Sequence, residues 1–136
     1  MVSDSNAVDA ELRRYSVRKV FRIHGHLIGF AGHMPEFERF CEWYRGRMLG
    51  KLRFNTDKST ALILAPVGLF VFDDNATGLQ RVVKGREAIG SGAMCAIAAF
   101  EALDWQDPTK AVRIACNHDA QSGGPVKTYK LRGPAA

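Results

Sequence analysis

The polar and apolar positions of this chain change period several times, and each change predicts an element. Residues 15–23 alternate, His24-Gly25 supplies tight-turn residues, and HLIGFAG over 26–32 reads as the antiparallel partner, so the segment predicts a hairpin. Met34, Phe37, Phe40, Cys41, Tyr44 and Met48 then recur at helical spacing, with Glu36, Glu38, Arg39, Glu42 and Arg45 on the opposite face. This spacing predicts an amphipathic helix over 35–48, and Pro35 suits its first turn. GKLRFNTDKS follows neither period and predicts a loop.

TALILAP and LFVFDD flank Pro66-Val67-Gly68 and predict a second hairpin, and a short strand is expected over 86–90. GSGAMCAIAAFEAL is rich in alanine and predicts a helix packed closely against a neighbour. Asp107 is a natural N-cap with Pro108 at the first helical position, so a last helix runs to about His118. VKTYKL closes the chain as a strand. The order is hairpin, helix, hairpin, strand, two helices, strand, with short connections. It favours antiparallel sheets with helices outside them, an α+β layered sandwich in a single domain over 1–136.

Composition adds mainly exclusions. At 46% hydrophobic and 24% charged residues the chain matches an ordinary globular core, and no stretch approaches the ~18 consecutive apolar residues of a membrane span. The opening MVSDSNAVDAELRRYS has no apolar run between a basic end and a cleavage site, so no secretory signal is read and a cytoplasmic location is expected. Cys41, Cys95 and Cys116 are odd in number and widely spaced in helical patterns, which predicts buried reduced thiols rather than a disulfide framework. His24 and His26 flank a turn with no cysteine pair near them, so neither a metal nor a cofactor is expected. A net charge of +5 and a pI of about 9.4 permit an acidic partner. The charges are scattered, and RRYSVRKVFR alternates as a solvated strand face would, which argues against nucleic-acid binding.

One residue breaks the pattern. Period two places Lys19 among Val17, Phe21 and Ile23 on the face of the first predicted strand that should meet the core. An ammonium in apolar surroundings must find an anion or give up its proton, unless it snorkels out at a strand end. Gly29, Ala31 and Gly32 of the facing strand offer bare backbone nearby, where an N–H can reach a reacting carbonyl oxygen. GSGAM at 90–94 opens a helix with a hydroxyl and free N–H groups, and HDAQSGG at 118–124 sets an acid and a serine three residues apart in a turn.

VSDSNA at 2–7, RKV at 18–20, GFAG at 29–32, IGSG at 89–92 and HDAQSGG at 118–124 follow one another in a familiar order across nearly the whole chain. Together they resemble a proteasome-type β subunit, closest to the small bacterial and phage members related to HslV. The resemblance implies a four-layer αββα sandwich of the N-terminal-nucleophile hydrolase class. It also implies a ring-forming homo-oligomer that cleaves unfolded polypeptide as a threonine-type endopeptidase, fed by an ATPase unfoldase. In that chemistry an N-terminal threonine hydroxyl attacks the peptide carbonyl and its own amine accepts the proton.

Carried over by motif, Lys19 matches the lysine that lowers the pKa of that hydroxyl, and Asp4 the carboxylate that pairs with it. Gly32 matches the glycine whose N–H stabilises the oxyanion, and Ser91, Asp119 and Ser122 match the polar group around the nucleophile. Ala7, Val17, Phe21, Phe30 and Met34 match the pocket for the residue before the cleaved bond, and all five are apolar, so the resemblance implies an apolar preference. Two departures stand out. His33 occupies a position where the family carries a second glycine. Met1 leads directly into the stretch that matches the family's second strand, so the resemblance implies that the strand bearing the threonine is missing and that this chain is inactive as it stands. Either the start is an internal methionine of a longer active chain, or the chain is a noncatalytic structural subunit. A basic nucleic-acid-binding domain is the remaining alternative.

Overall fold

The computed structural model describes residues 1–4, 6–8, 14–55, 59–75, 78–119 and 121–132, with 6–8 and 14–16 described in backbone only. The elements are β1 (Val2–Ser3), β2 (Asn6–Val8), β3 (Arg14–Ser16), β4 (Val20–Ile23), β5 (His26–Ala31), α1 (Met34–Arg45), β6 (Thr60–Ala65), β7 (Gly68–Phe72), β8 (Gln80–Arg81), α2 (Ala93–Ala102), α3 (Pro108–His118) and β9 (Lys127–Thr128). They form two compact units. One takes Met1–Lys19 and Ser91–Tyr129, the other Val20–Gly90 and Lys130–Ala136.

In the second of these units, β4 to β8 make a five-stranded antiparallel sheet in sequence order. The first hairpin turns on His24 and Gly25 with φ of 54° and 77°, the left-handed pair that matches the twist of its strands. Its register sets Phe21 opposite Ile28 and Ile23 opposite His26; β6 continues with Ile63 opposite Ile28 and Ala61 opposite Phe30, and Phe72 of β7 lies opposite Ala61. Period two therefore gathers Phe21, Ile23, Ile28, Phe30, Ala61, Ile63, Phe70 and Phe72 on one face. α1 lays Phe37, Phe40, Cys41 and Tyr44 on that face, as its spacing predicts, and the buried cluster is completed by Phe54. Phe30 stacks on Phe37 at 4.7 Å between ring centroids, and Phe54 meets Phe72 edge-on at 5.1 Å. In β5 the run Leu27, Ile28, Gly29, Phe30 is buried throughout.

Three expectations are corrected here. The strand expected over 15–23 is two strands: β3 pairs with β2, β4 pairs with β5, and residues 17–19 belong to neither. Lys19 therefore belongs to no strand. The strand expected over 86–90 is absent from the described structure there, and the edge strand is β8, whose Arg81 pairs with Phe70. The helix expected to reach residue 48 stops at Arg45, because Arg47 and Met48 take φ of 62° and 59°, which an α-helix cannot contain.

In the other unit α2 and α3 pack on each other, β1 pairs with β9, and β2 with β3. α3 starts as the sequence predicts: the Asp107 carboxylate accepts the Lys110 N–H at 3.0 Å and Pro108 fills the first helical position. Small side chains allow the approach, since Ala111 and Ala115 of α3 are buried. The closing strand is shorter than VKTYKL, covering Lys127–Thr128, and Thr128 Oγ1 lies 2.9 Å from Thr109 Oγ1 at the head of α3. All three cysteines are free. Cys41 is buried, whereas Cys95 and Cys116 are half-buried, so the expectation of three buried thiols holds for one.

Candidate active site

Of the residues matched to catalytic roles, Asp4, Lys19, Ser91, Asp119 and Ser122 lie in the unit that carries α2 and α3. Lys19 sits in the break between β3 and β4, and its Nζ donates to Asp4 Oδ1 at 2.6 Å; the two side chains are 25% and 12% exposed. Asp4 follows β1 directly, and β1 is held by its pairing with β9, so the acid is fixed by backbone hydrogen bonds on that side. Its second oxygen, Oδ2, accepts the backbone N–H of Gly123 at 2.9 Å. A carboxylate with one oxygen on a cation and the other on an N–H is well satisfied as an anion.

The second acid is Asp119, at the C-terminal cap of α3. A negative charge is unfavourable there, because the last carbonyls of a helix already present its negative end. Two hydroxyls compensate. Ser122 Oγ donates to Asp119 Oδ2 at 2.5 Å and Ser91 Oγ donates to the same oxygen at 2.6 Å. The Ser122 hydroxyl first, then that of Ser91, hold the Asp119 carboxyl below its ordinary pKa. The turn between the two acids closes with Ser122 N–H on the Asp119 carbonyl at 3.2 Å, and Gly124 takes a φ of 70° that a side chain would strain.

The adjacent residues Ser122 and Gly123 thus touch different carboxylates. Gly92, between Ser91 and α2, has ordinary backbone angles, yet a Cβ there would stand 2.9 Å from Ser122 Oγ and 3.5 Å from Asp119 Oδ2. Neither the packing role of Gly92 nor the Gly123 N–H was named from the sequence. The tight Gly-Ser-Gly and Ser-Gly-Gly spellings were the available signal, and they do not say which glycine is needed for space and which for its amide.

Cys116 lies one helical turn before Asp119. Burial pushes its thiol up, the negative charge of Asp4 adds to this, and the Lys19 ammonium opposes it. It therefore borders both acids as a protonated thiol.

The remaining singled-out residues are placed otherwise. Gly32 is exposed just after β5, in the unit of the five-stranded sheet, and His33 beside it donates its N–H to Ser59 Oγ at 3.3 Å. Phe21, Phe30 and Met34 all pack on the Phe37 and Phe40 cluster of that unit. Val17 is half-buried in the same unit as Lys19, and the side chain of Ala7 lies outside the described residues. Among the described residues no three His, Cys, Asp or Glu side chains gather as a metal-binding group. His24 Nε2 lies 3.0 Å from the Arg45 carbonyl and His26 Nδ1 2.7 Å from the Tyr44 hydroxyl.

No protein-family model matches this chain, and no curated protein matches its sequence. Solved structures do. HslV from Trypanosoma brucei superposes with a TM-score of 0.74 at 22% identity, over 93% of this chain and 88% of that one. BPH from Thiobacillus denitrificans superposes with a TM-score of 0.70 at 18% identity, both free and in complex with epoxomicin; the free form spans 98% of this chain and 92% of its own, the complex 97% and 92%. The fold is that of the proteasome and HslV class, as the sequence motifs implied, an α+β fold with an antiparallel five-stranded sheet and three helices among the described residues.

Proposed function

We propose that this chain is a subunit of a proteasome-like, self-compartmentalising assembly for proteolysis, with the surroundings of a threonine-type endopeptidase site built from Asp4, Lys19, Ser91, Asp119 and Ser122. The observation that carries this reading is the Lys19 ammonium, held at 2.6 Å by Asp4 within a fold of the HslV class. A cation so placed does what hydroxyl activation needs: it stabilises the alkoxide that forms when the hydroxyl loses its proton. The nucleophile in this reading is an N-terminal threonine. Its hydroxyl adds to the peptide carbonyl while its amine takes the proton. The amine leaving group then receives that proton as the C–N bond breaks, and water hydrolyses the ester left behind. Asp119, with its two serines, supplies the acceptor and hydroxyls that order the amine end of such a nucleophile.

In this reading the assembly is a homo-oligomeric ring acting in the cytoplasm on unfolded polypeptide delivered by an ATPase unfoldase. Support for this reading comes from the motifs that resemble a proteasome-type β subunit and from the fold shared with HslV and BPH. The epoxomicin complex of BPH suggests a probe.

The test compares the 136-residue polypeptide with a version in which a threonine-led strand precedes Val2. The first is expected to leave fluorogenic peptides intact, and the second to cleave those with an apolar residue before the scissile bond and to be labelled by epoxomicin. Lys19→Ala in the second should lower kcat at least about a hundredfold, the scale of a lost electrostatic or proton-transfer contribution. An assembled, well-folded threonine-led protein that hydrolyses nothing would overturn the peptidase reading and leave the noncatalytic structural subunit.

A further inference from the structure

We propose that the Ser122-Gly123 step joins the two carboxylates into one device, so that Asp119 acts as a positioning residue for the Lys19 ammonium. The inference deepens the peptidase reading above in assigning a purpose to that ammonium, but the coupling itself stands on geometry alone.

Asp119 is anchored to α3, its N–H donating to the Ala115 carbonyl at 2.9 Å. From that anchor the Ser122 N–H and Ser122 Oγ both return to Asp119, at 3.2 Å to its carbonyl and 2.5 Å to its carboxylate. Two bonds from one residue fix its orientation as well as its position. The next peptide group then has little freedom, and its N–H is the one that meets Asp4 Oδ2 at 2.9 Å. Asp4 in turn offers Oδ1 to Lys19. The chain of cause runs from the C-terminal cap of α3, through one hydroxyl and one amide, to the carboxylate that orients the ammonium. Each link is a hydrogen bond to a charged acceptor, about twice as strong as one between neutral groups.

Gly92 supplies an independent argument. It has an ordinary φ of −87°, so its missing side chain serves space rather than backbone conformation. The space is that of the Ser122 hydroxyl, 2.9 Å from where a Cβ would stand. Ser91 supplies the control: it donates to the same Asp119 oxygen at 2.6 Å but lies outside the turn, so its removal leaves the turn closed.

The experiment follows amide hydrogen exchange at Gly123 by NMR in the 136-residue chain, together with the nitrogen resonance of Lys19 Nζ, assigned by K19R. Asp4→Ala removes the acceptor and calibrates the full effect. S122A, by loss of the hydroxyl, and G92A, by steric eviction of it, are each expected to speed Gly123 exchange about fivefold to tenfold and to move the Lys19 resonance. S91A should change exchange by less than about twofold, and α3 amides should keep their protection in all variants. Unchanged Gly123 exchange in S122A and G92A, with acceleration in D4A, would overturn the proposal, since Asp4 would then hold the amide unaided. Equal acceleration by S91A and S122A would also overturn it, as a general effect of loosening Asp119. If the threonine-led protein proves inert while Gly123 responds as expected, the positioning role stands and the peptidase reading falls.

Discussion

Among single residues, Asp119 carries a definite pH signature. Its folded pKa lies below the ordinary value, so the stability it contributes is fully present above that ordinary value and is lost as the pH falls through the depressed one. Removing both donors, Ser91→Ala with Ser122→Ala, should therefore flatten the acid loss of stability that sets in below about pH 4 and cost about 1–2 kcal/mol at neutral pH, measured by urea unfolding at each pH. Cys116 has the opposite sense. With its thiol raised by burial and by the neighbouring Asp4, alkylation at neutral pH should run slower than for a free cysteine, as followed by intact-mass spectrometry. At this scale the sequence was informative about identity and less so about cause. Lys19 attracted notice as an inward lysine on a strand, and it does meet Asp4, yet it does so from the break between two strands. The alternation of residues 15–23 runs unbroken through that break because both flanking segments are extended, and side-chain polarity does not record a change of pairing partner.

Elements with a wide apolar stripe were the most legible. α1 reads directly from the spacing of Phe37, Phe40, Cys41 and Tyr44, and the two hairpins of the large sheet from their turn residues. Phe40 is completely buried and its ring lies within 6.0 Å of those of Trp43, Tyr44, Phe54 and Phe72, so Phe40→Ala should destabilise by about 3–5 kcal/mol in chemical denaturation. By contrast β8 is two exposed polar residues, Gln80 and Arg81, and such a strand exists through its ladder with β7 alone. No period in the sequence could mark it. The end of α1 was missed for a similar reason: Arg47 and Met48 carry no residue-type signal for the left-handed backbone they adopt. α2 is apolar nearly all round, and Met94 on it is 81% exposed. Met94→Lys should therefore shift the unfolding free energy of a monomeric preparation by no more than about 0.5 kcal/mol.

At the scale of the molecule, the motifs spelled out the fold class, because glycines and small polar residues in a fixed order mark turns that this architecture requires, and the superpositions bear that out. Assembly is the property to measure next. In the ring reading, size-exclusion chromatography with light scattering should give a mass several times the 15.0 kDa of one chain, independent of dilution across the micromolar range. The division of the chain has its own consequence. The large sheet and α1 come from the continuous stretch Val20–Gly90, whereas the other unit needs both Met1–Lys19 and Ser91–Tyr129. Asp4 and Gly123 are 119 residues apart in the sequence. During synthesis the aromatic sheet can therefore close while the first nineteen residues still wait for their partners, and the loop-closure entropy of that long connection is met by a body already folded. A nascent chain arrested on the ribosome before Ser122 emerges holds the sheet-forming stretch but lacks the hydroxyl and amide that meet Asp119 and Asp4, so the chemistry is assembled after the sheet.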